Sequence, residues 1–313
     1  MNDPHASSHP PISVVICTCD RPETIGSAVR SVLDQQYPDF EVLVIDQSQG
    51  DATERAVTGA VADDARLRYV RLMERGLSLA YNEGTHRARH ELLAFTDDDC
   101  IAPAGWLPAI ARSFAEHPDV GLIYGQVLGP IETDAGPGGG AEVPTLPIAK
   151  LERLSRREGF KVFGMGADFA ARRSLVLRLG GFDEVLGGGG PLESAQDFDF
   201  AFRVYRDGGT ILLDPRVVVH HYGFRSHDEW PATLGSYGVG VGGFMLKHVR
   251  VGDAYAMLLL VRIWLLAALR LLKRLLLRQP VGTYWGFLCH LASGMWRSRA
   301  YGIDHRLRLY TRP

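Results

Sequence analysis

Leu92-Leu93-Ala94-Phe95-Thr96-Asp97-Asp98-Asp99 is an apolar run that closes in three consecutive carboxylates. The apolar part reads as a buried strand, so its acids stand at the edge of a sheet as hard oxygen ligands. Such ligands suit Mg²⁺ or Mn²⁺, and a divalent ion bridging phosphate oxygens offsets the charge that a departing nucleotide diphosphate develops. A solvated turn or a helix N-terminus also collects acids, so the flanking sequence has to decide between the two. Alternation along a strand puts Asp97 and Asp99 on one side and turns Asp98 to the other.

Upstream, residues 12–17 form a second apolar run, and after the turn at Asp20-Arg21-Pro22 the residues Ile25, Ala28, Val29, Val32 and Leu33 recur at helical spacing. A strand at 40–46, a helix at 53–62, a strand at 67–70 and a helix at 78–88 follow the same alternation. That order predicts a mostly parallel sheet flanked by helices, with ligands beyond the carboxyl ends of the strands, where Asp46 and Asp97 to Asp99 fall. Residues 106–116 read as a helix, 121–127 as a strand, and 129–147 as a Gly/Pro-rich surface loop. Helices near 174–179 and 194–206 and short strands at 211–213 and 217–219 complete the body before His220-His221. The glycines at 187–190 and the run Tyr237-Gly238 to Gly243 read as permissive backbone, the first as a loop able to fold over a ligand. No Gly-Lys-Ser/Thr follows either, so neither is a phosphate loop, and the first strand-turn-helix lacks the dinucleotide fingerprint of a dehydrogenase.

The chain has 313 residues and a net charge of −2, unevenly spread: from Lys247 onward twelve Lys/Arg face two acids. A basic tail behind an acidic body fits a partner carrying anionic lipid or phosphate, and no motif supports nucleic acid. Residues 254–278 are Leu-rich, with Arg262, Arg270, Lys273, Arg274 and Arg278 on one arc. An uncharged stretch such as 263–269 is too short to cross a bilayer, so a helix lying in the membrane interface is expected. Trp285, Phe287 and Trp296, followed by Arg297 and Arg299, extend that interfacial character. Residues 1–245 are therefore expected to be the catalytic domain and 246–313 a basic amphipathic module. Cys17, Cys19, Cys100 and Cys289 lack zinc-type spacing and read as reduced thiols. Residues 1–11 lack the pattern of a secretory signal, so a cytoplasmic protein at the inner face of the cell membrane is expected.

The whole of residues 11–225 resembles glycosyltransferase family 2, inverting nucleotide-sugar transferases with the GT-A fold. Ser13-Val14-Val15-Ile16-Cys17-Thr18-Cys19-Asp20-Arg21 is similar to the family's first strand and turn. Val44-Ile45-Asp46-Gln47-Ser48 is similar to the second strand, whose terminal acid contacts the nucleotide base, and Asp97-Asp98-Asp99 matches the metal-binding Asp-x-Asp. Gly164-Met165-Gly166-Ala167-Asp168 and Gly180-Gly181-Phe182-Asp183-Glu184 resemble the acceptor-side stretch. Gln196-Asp197-Phe198-Asp199 with Arg203 stands where the family has Glu-Asp-x-Asp and an Arg, with Gln196 replacing the usual Glu.

The resemblance implies a sugar transfer from a nucleotide diphosphate donor to an acceptor hydroxyl in glycan, polysaccharide or glycolipid assembly. Asp197 is then the general base, Thr18, Asp46, Asp97 and Asp98 the nucleotide contacts, and Asp99, Asp97 and His221 the ligands of Mn²⁺ or Mg²⁺. Asp168 and Glu193 are further candidates for sugar or acceptor, and Ser194-x-x-Asp197 also reads as a capping box. Asp199 is expected to be structural, four residues before Arg203. Transfer onto a polyprenyl phosphate, whose nucleophile needs no base, is one alternative. A non-catalytic binding scaffold, suggested by the neutral Gln196, is another.

Overall fold

The computed structural model describes residues 9–61, 63–131, 142–156, 158–160, 164–226 and 228–312. They divide into two compact units.

The first unit comprises residues up to Arg75, Leu79–Gly181 and Phe200–Phe224. Its leading half alternates as the periodicity predicts: β1 (Ile12–Thr18), α1 (Pro22–Leu33), β2 (Phe40–Asp46), α2 (Ala52–Ala60), β3 (Leu67–Arg71), α3 (Leu77–Arg87, whose first residues belong to the second unit) and β4 (Leu92–Asp97). Every residue of β1 and β2 is buried, as strands covered on both faces require, and both are rich in β-branched side chains. Pro22 opens α1, where its missing N–H leaves no bond unmade, and Ile25, Ala28, Val29, Val32 and Leu33 form the buried face. Then come β5 (Cys100–Ile101), α4 (Trp106–Glu116), β6 (Val120–Leu128), β7 (Glu152–Leu154), β8 (Asp168–Arg172), α5 (Arg173–Arg178), α6 (Gln196–Asp207) and β9 (Thr210–His221).

Among the described residues these strands form one nine-stranded sheet in the order β3-β2-β1-β4-β8-β6-β9-β5, with β7 on β9. The half from β3 to β4 is parallel, and β8 enters antiparallel between β4 and β6. The short strands β5, β7 and β8 have too few residues to show a period. Residues 211–213 and 217–219, read as two strands, belong to the single β9. Its pairing with β6 jumps register from Leu213 to Val218, and Pro215 lies in that gap. Of the Gly/Pro-rich stretch, 132–141 with its Gly138-Gly139-Gly140 run lie outside the described residues. Its far side returns to the sheet through the bridge Val127↔Leu146.

The second unit comprises Gly76–Ser78, Phe182–Asp199 and Arg225–Pro313. It holds the first turn of α6, the helices α7 (Trp230–Arg250), α8 (Ala254–Leu276) and α9 (Gly282–Arg297), and a hairpin of β10 (Gly302–Asp304) and β11 (Leu309–Thr311). Two expectations are corrected here. The glycine run 238–243 is helix: Cβ atoms at Gly242 and at Gly294 of α9 would fall 2.1 Å from the Leu291 carbonyl and 2.0 Å from the Val239 carbonyl. Close approach of two helices, which outweighs poor helix propensity, explains these glycines. The second concerns α8, a 23-residue helix long and apolar enough to cross a membrane by length and composition. Isolated arginines do not end an apolar helix, because their long side chains reach toward its ends, so the uncharged stretch 263–269 understated its length.

Candidate active site

In the first unit, strand register assembles the acidic edge. Thr18 pairs with Asp46 and Cys17 with Asp97, so the carboxyl ends of β1, β2 and β4 finish side by side. Asp46 is fully buried; Oδ1 accepts from the Ser48 amide and hydroxyl, and Oδ2 from the Tyr69 hydroxyl. Asp98 does not turn away from Asp99 as strand alternation predicts, because β4 ends at Asp97 and both residues occupy the turn before β5. Asp98 Oδ2 accepts from Thr18 Oγ1 at 2.7 Å, and Arg21 reaches Asp98 at 3.2 Å and Asp99 at 2.6 Å. Sequence reasoning gave Arg21 no role. Its place in the Asp20-Arg21-Pro22 turn was the available signal, but the acids it meets are some eighty residues away.

The third face of the site comes from β9. The pairing of β5 with the end of β9 sets Cys100 against His221 and Ile101 against His220. Of the two histidines, His221 meets Asp99, Nε2 to Oδ1 at 3.1 Å, while His220 Nδ1 bonds the Gly129 carbonyl. His221 Nδ1 donates to the Pro144 carbonyl at 3.1 Å, an outer bond that fixes the ring with Nε2 toward the carboxylate. A Cβ on Gly223 would lie 2.4 Å from Asp99 Oδ2 and 2.7 Å from His221 Nε2, so only glycine leaves the space beside both atoms open. Asp99, Cys100 and His221 converge to within 4.8 Å. Burial, then the charges of Asp97 and Asp99, pushes the Cys100 thiol well above its usual range and makes it a poor ligand. A carboxylate and an imidazole around that space fit Mn²⁺ well and Mg²⁺ less well.

The electrostatics favour a cation. Burial and the Asp99 charge push Asp97 up to about 7, and burial pushes Asp98 up to about 6 against the pull of Arg21. Burial opposes ionisation of Asp99 too, but His221 and Arg21 outweigh it and draw its carboxyl down to about 2. Asp99 raises His221 against its own burial in return. Part of the rise comes from the repulsion that Asp99 exerts on Asp97 and Asp98, and a cation at this edge would relieve that part. Asp168 is not part of it: fully buried, it accepts the Trp106 indole N–H at 3.0 Å, which removes it from the sugar contacts considered above.

In the second unit, Asp197 lies in the first turn of α6, half-buried, with Gln196 buried before it. Glu193 and Ala195 on the approach have φ of +65° and +68°. The Ser194 hydroxyl donates to the Ser236 carbonyl at 2.8 Å. Glu193, considered for substrate contact, pairs with Arg297 at 2.6 Å. Asp199 meets Lys247 at 2.6 Å and His248 at 2.9 Å, all three side chains fully buried. Arg203, in the first unit, donates to the Leu179 and Gly181 carbonyls. Gly187 to Gly190 form a hydrogen-bonded turn, with Gly187 N–H on the Ser194 carbonyl and the Gly188 carbonyl accepting from Leu77 N–H.

The Glycosyl transferase family 2 model matches residues 13–180, more than half of the chain. The glucosyl-dolichyl phosphate glucuronosyltransferase of Haloferax volcanii is 23% identical over 241 residues, 70% of this chain and 72% of that protein. The pre-mycofactocin glycosyltransferase of Mycobacterium tuberculosis is 23% identical over 257 residues, 78% of this chain, which spans only half of that relative's length. Among solved structures, a mannosyltransferase of Pyrobaculum calidifontis in complex with GDP-Man and Mn²⁺ superposes with a TM-score of 0.63 at 18% identity, covering 92% of this chain and 88% of that one. The sheet is thus of the GT-A type, and the chain belongs to glycosyl transferase family 2 and is a glycosyltransferase.

Proposed function

We propose that the protein moves a sugar, with inversion, from a nucleotide diphosphate sugar to the hydroxyl of a glycan or lipid-linked acceptor. Thr18, Asp46, Asp97 and Asp98 contact the nucleotide, Asp99, Asp97 and His221 hold Mn²⁺ or Mg²⁺, and Asp197 takes the acceptor proton. The observation that carries this is the opposition of Asp99 and His221 beside the space that Gly223 keeps open. A divalent ion bound there supplies positive charge to the diphosphate as it leaves. Everything else falls to the chain. Arg21 adds a second cation at the same edge, and Asp197 needs only an acceptor hydroxyl within hydrogen-bond reach.

The acceptor class is read from α8 and α9. Leu258, Leu265, Leu269, Leu272 and Leu276 are exposed along α8, while Ala256, Leu260 and Ala267 are buried. A water-facing surface of leucine beside arginine and lysine suits a bilayer with anionic headgroups, with Trp285 and Trp296 exposed on α9. A glycolipid or polysaccharide intermediate at the inner face of the cell membrane is the corresponding acceptor. The test is turnover by Asp197→Asn. Loss of at least a hundredfold in kcat supports a hydroxyl acceptor and a base, in the range general-base catalysis supplies. Retained turnover favours a polyprenyl phosphate, whose nucleophile is already anionic.

A further inference from the structure

Arg297 ends a helix that, in sequence, reads as the basic edge of a membrane-facing segment. Its guanidinium instead reaches a residue 104 positions earlier: Nη1 bonds Glu193 Oε1 at 2.6 Å, and Nη2 bonds the Pro191 carbonyl. Glu193 and Ala195 hold left-handed backbone conformations that are costly for residues with a Cβ, and they lie four and two residues before Asp197. Such a segment keeps its shape only if the surroundings over-determine it, and here they do. Ser194 Oγ is fixed on the Ser236 carbonyl. α7 lies against the same segment through glycines: a Cβ at Gly240 would fall 2.1 Å from Ser194 Oγ, and one at Gly243 would fall 2.5 Å from Leu192 Cδ1. On the far side of Asp197, the fully buried Asp199 is bound by Lys247 and His248 of α7. Lys247 also bonds Asp183 at 2.5 Å, and Asp183 accepts the Tyr310 amide at 2.9 Å.

From this arrangement we infer that Arg297 is a positioning residue for Asp197: the Arg297–Glu193 pair before the carboxylate and the Lys247/His248–Asp199 cluster after it hold the first turn of α6 in its reactive orientation. The inference rests on the assignment of Asp197 as base. It gives the C-terminal helices a part in the chemistry in addition to any surface they offer to lipid. The Arg297–Glu193 pair can be tested without dismantling the unit, because about a third of each side chain remains exposed, 35% and 41%.

The experiment compares Arg297→Gln, Glu193→Arg, the charge-swapped double variant E193R/R297E and Asp197→Asn, each checked for folding by circular dichroism and thermal midpoint. Arg297→Gln is expected to lower kcat by about tenfold to a hundredfold, the effect of a small misplacement of a reacting group, with the donor KM unchanged. E193R/R297E is expected to recover most of that loss, and Arg297→Gln added to Asp197→Asn to cost nothing more. A folded Arg297→Gln with wild-type kcat, beside an inactive Asp197→Asn, would overturn the positioning role and leave the base assignment standing. An equal loss from Arg297→Gln in the wild-type and Asp197→Asn backgrounds would overturn it as well. Full turnover by Asp197→Asn alone would remove the base assignment and the inference with it.

Discussion

At the scale of single residues, the acidic edge shows what spacing can and cannot reveal. Asp97 to Asp99 were legible because a strand ending in carboxylates is a local pattern. Arg21, Tyr69 and Gly223 were not, because each reaches the site through sheet register or a turn far away in sequence. The choice between adjacent histidines depended on β5 pairing with β9, which no periodicity announces. His221→Ala is expected to weaken Mn²⁺ binding at least tenfold in a calorimetric titration and His220→Ala to leave it within about twofold, the order of effect known for residues that ligate or orient a metal. Equal effects would place the ion elsewhere. Asp168 makes a prediction about stability. Burial raises its carboxyl well above the ordinary range, with only the Trp106 indole opposing, and Oδ2 has no hydrogen-bond partner among the described residues. The folded state therefore keeps the proton where the unfolded chain releases it, so this group's contribution is complete below the unfolded pKa and declines as pH rises toward the folded one. Stability is lost as pH rises through that window. Asp168→Asn keeps an acceptor for Trp106 and should flatten that decline in urea unfolding between pH 5 and 8; an unchanged slope would show that Asp168 ionises freely.

At the scale of elements, strands and helices with a full period were readable, and those set by packing were not. β1, α1, β2 and β4 fall close to where the hydrophobic pattern puts them, because each buries a continuous face. α7 was misread because its glycines mark a close helix contact that is invisible until the partner helix is known. The same logic governs Gly84 on α3, where a Cβ would lie 2.5 Å from Val15 Cγ1 on β1. Gly84→Ala should destabilise the protein by about 1–3 kcal/mol, the usual cost of overpacking a filled core. Gly59→Ala, with nothing within 4 Å of its added Cβ, should be neutral or slightly stabilising. The reverse order in chemical denaturation would mean that α3 does not pack on β1 as described.

At the scale of the molecule, the sequence located the charge asymmetry and the leucine-rich tail, but it did not reveal that Arg297 pairs with Glu193, 104 positions earlier. The exposed leucines of α8 predict association with vesicles containing phosphatidylglycerol, weakened by salt because the adjacent cations contribute. Leu265→Glu, Leu269→Glu and Leu272→Glu together should abolish co-sedimentation while leaving the protein folded; undiminished binding would locate the membrane contact elsewhere. The central claim is that the Asp99–His221 edge holds a divalent ion for a nucleotide diphosphate sugar. Its most direct test is release of free nucleoside diphosphate from a panel of UDP-, GDP- and dTDP-sugars, with and without Mn²⁺ or Mg²⁺, by wild type and Asp99→Ala. The expected result is metal-dependent release from one donor that falls at least a hundredfold in Asp99→Ala. Release that is indifferent to metal, or undiminished in Asp99→Ala, would contradict it.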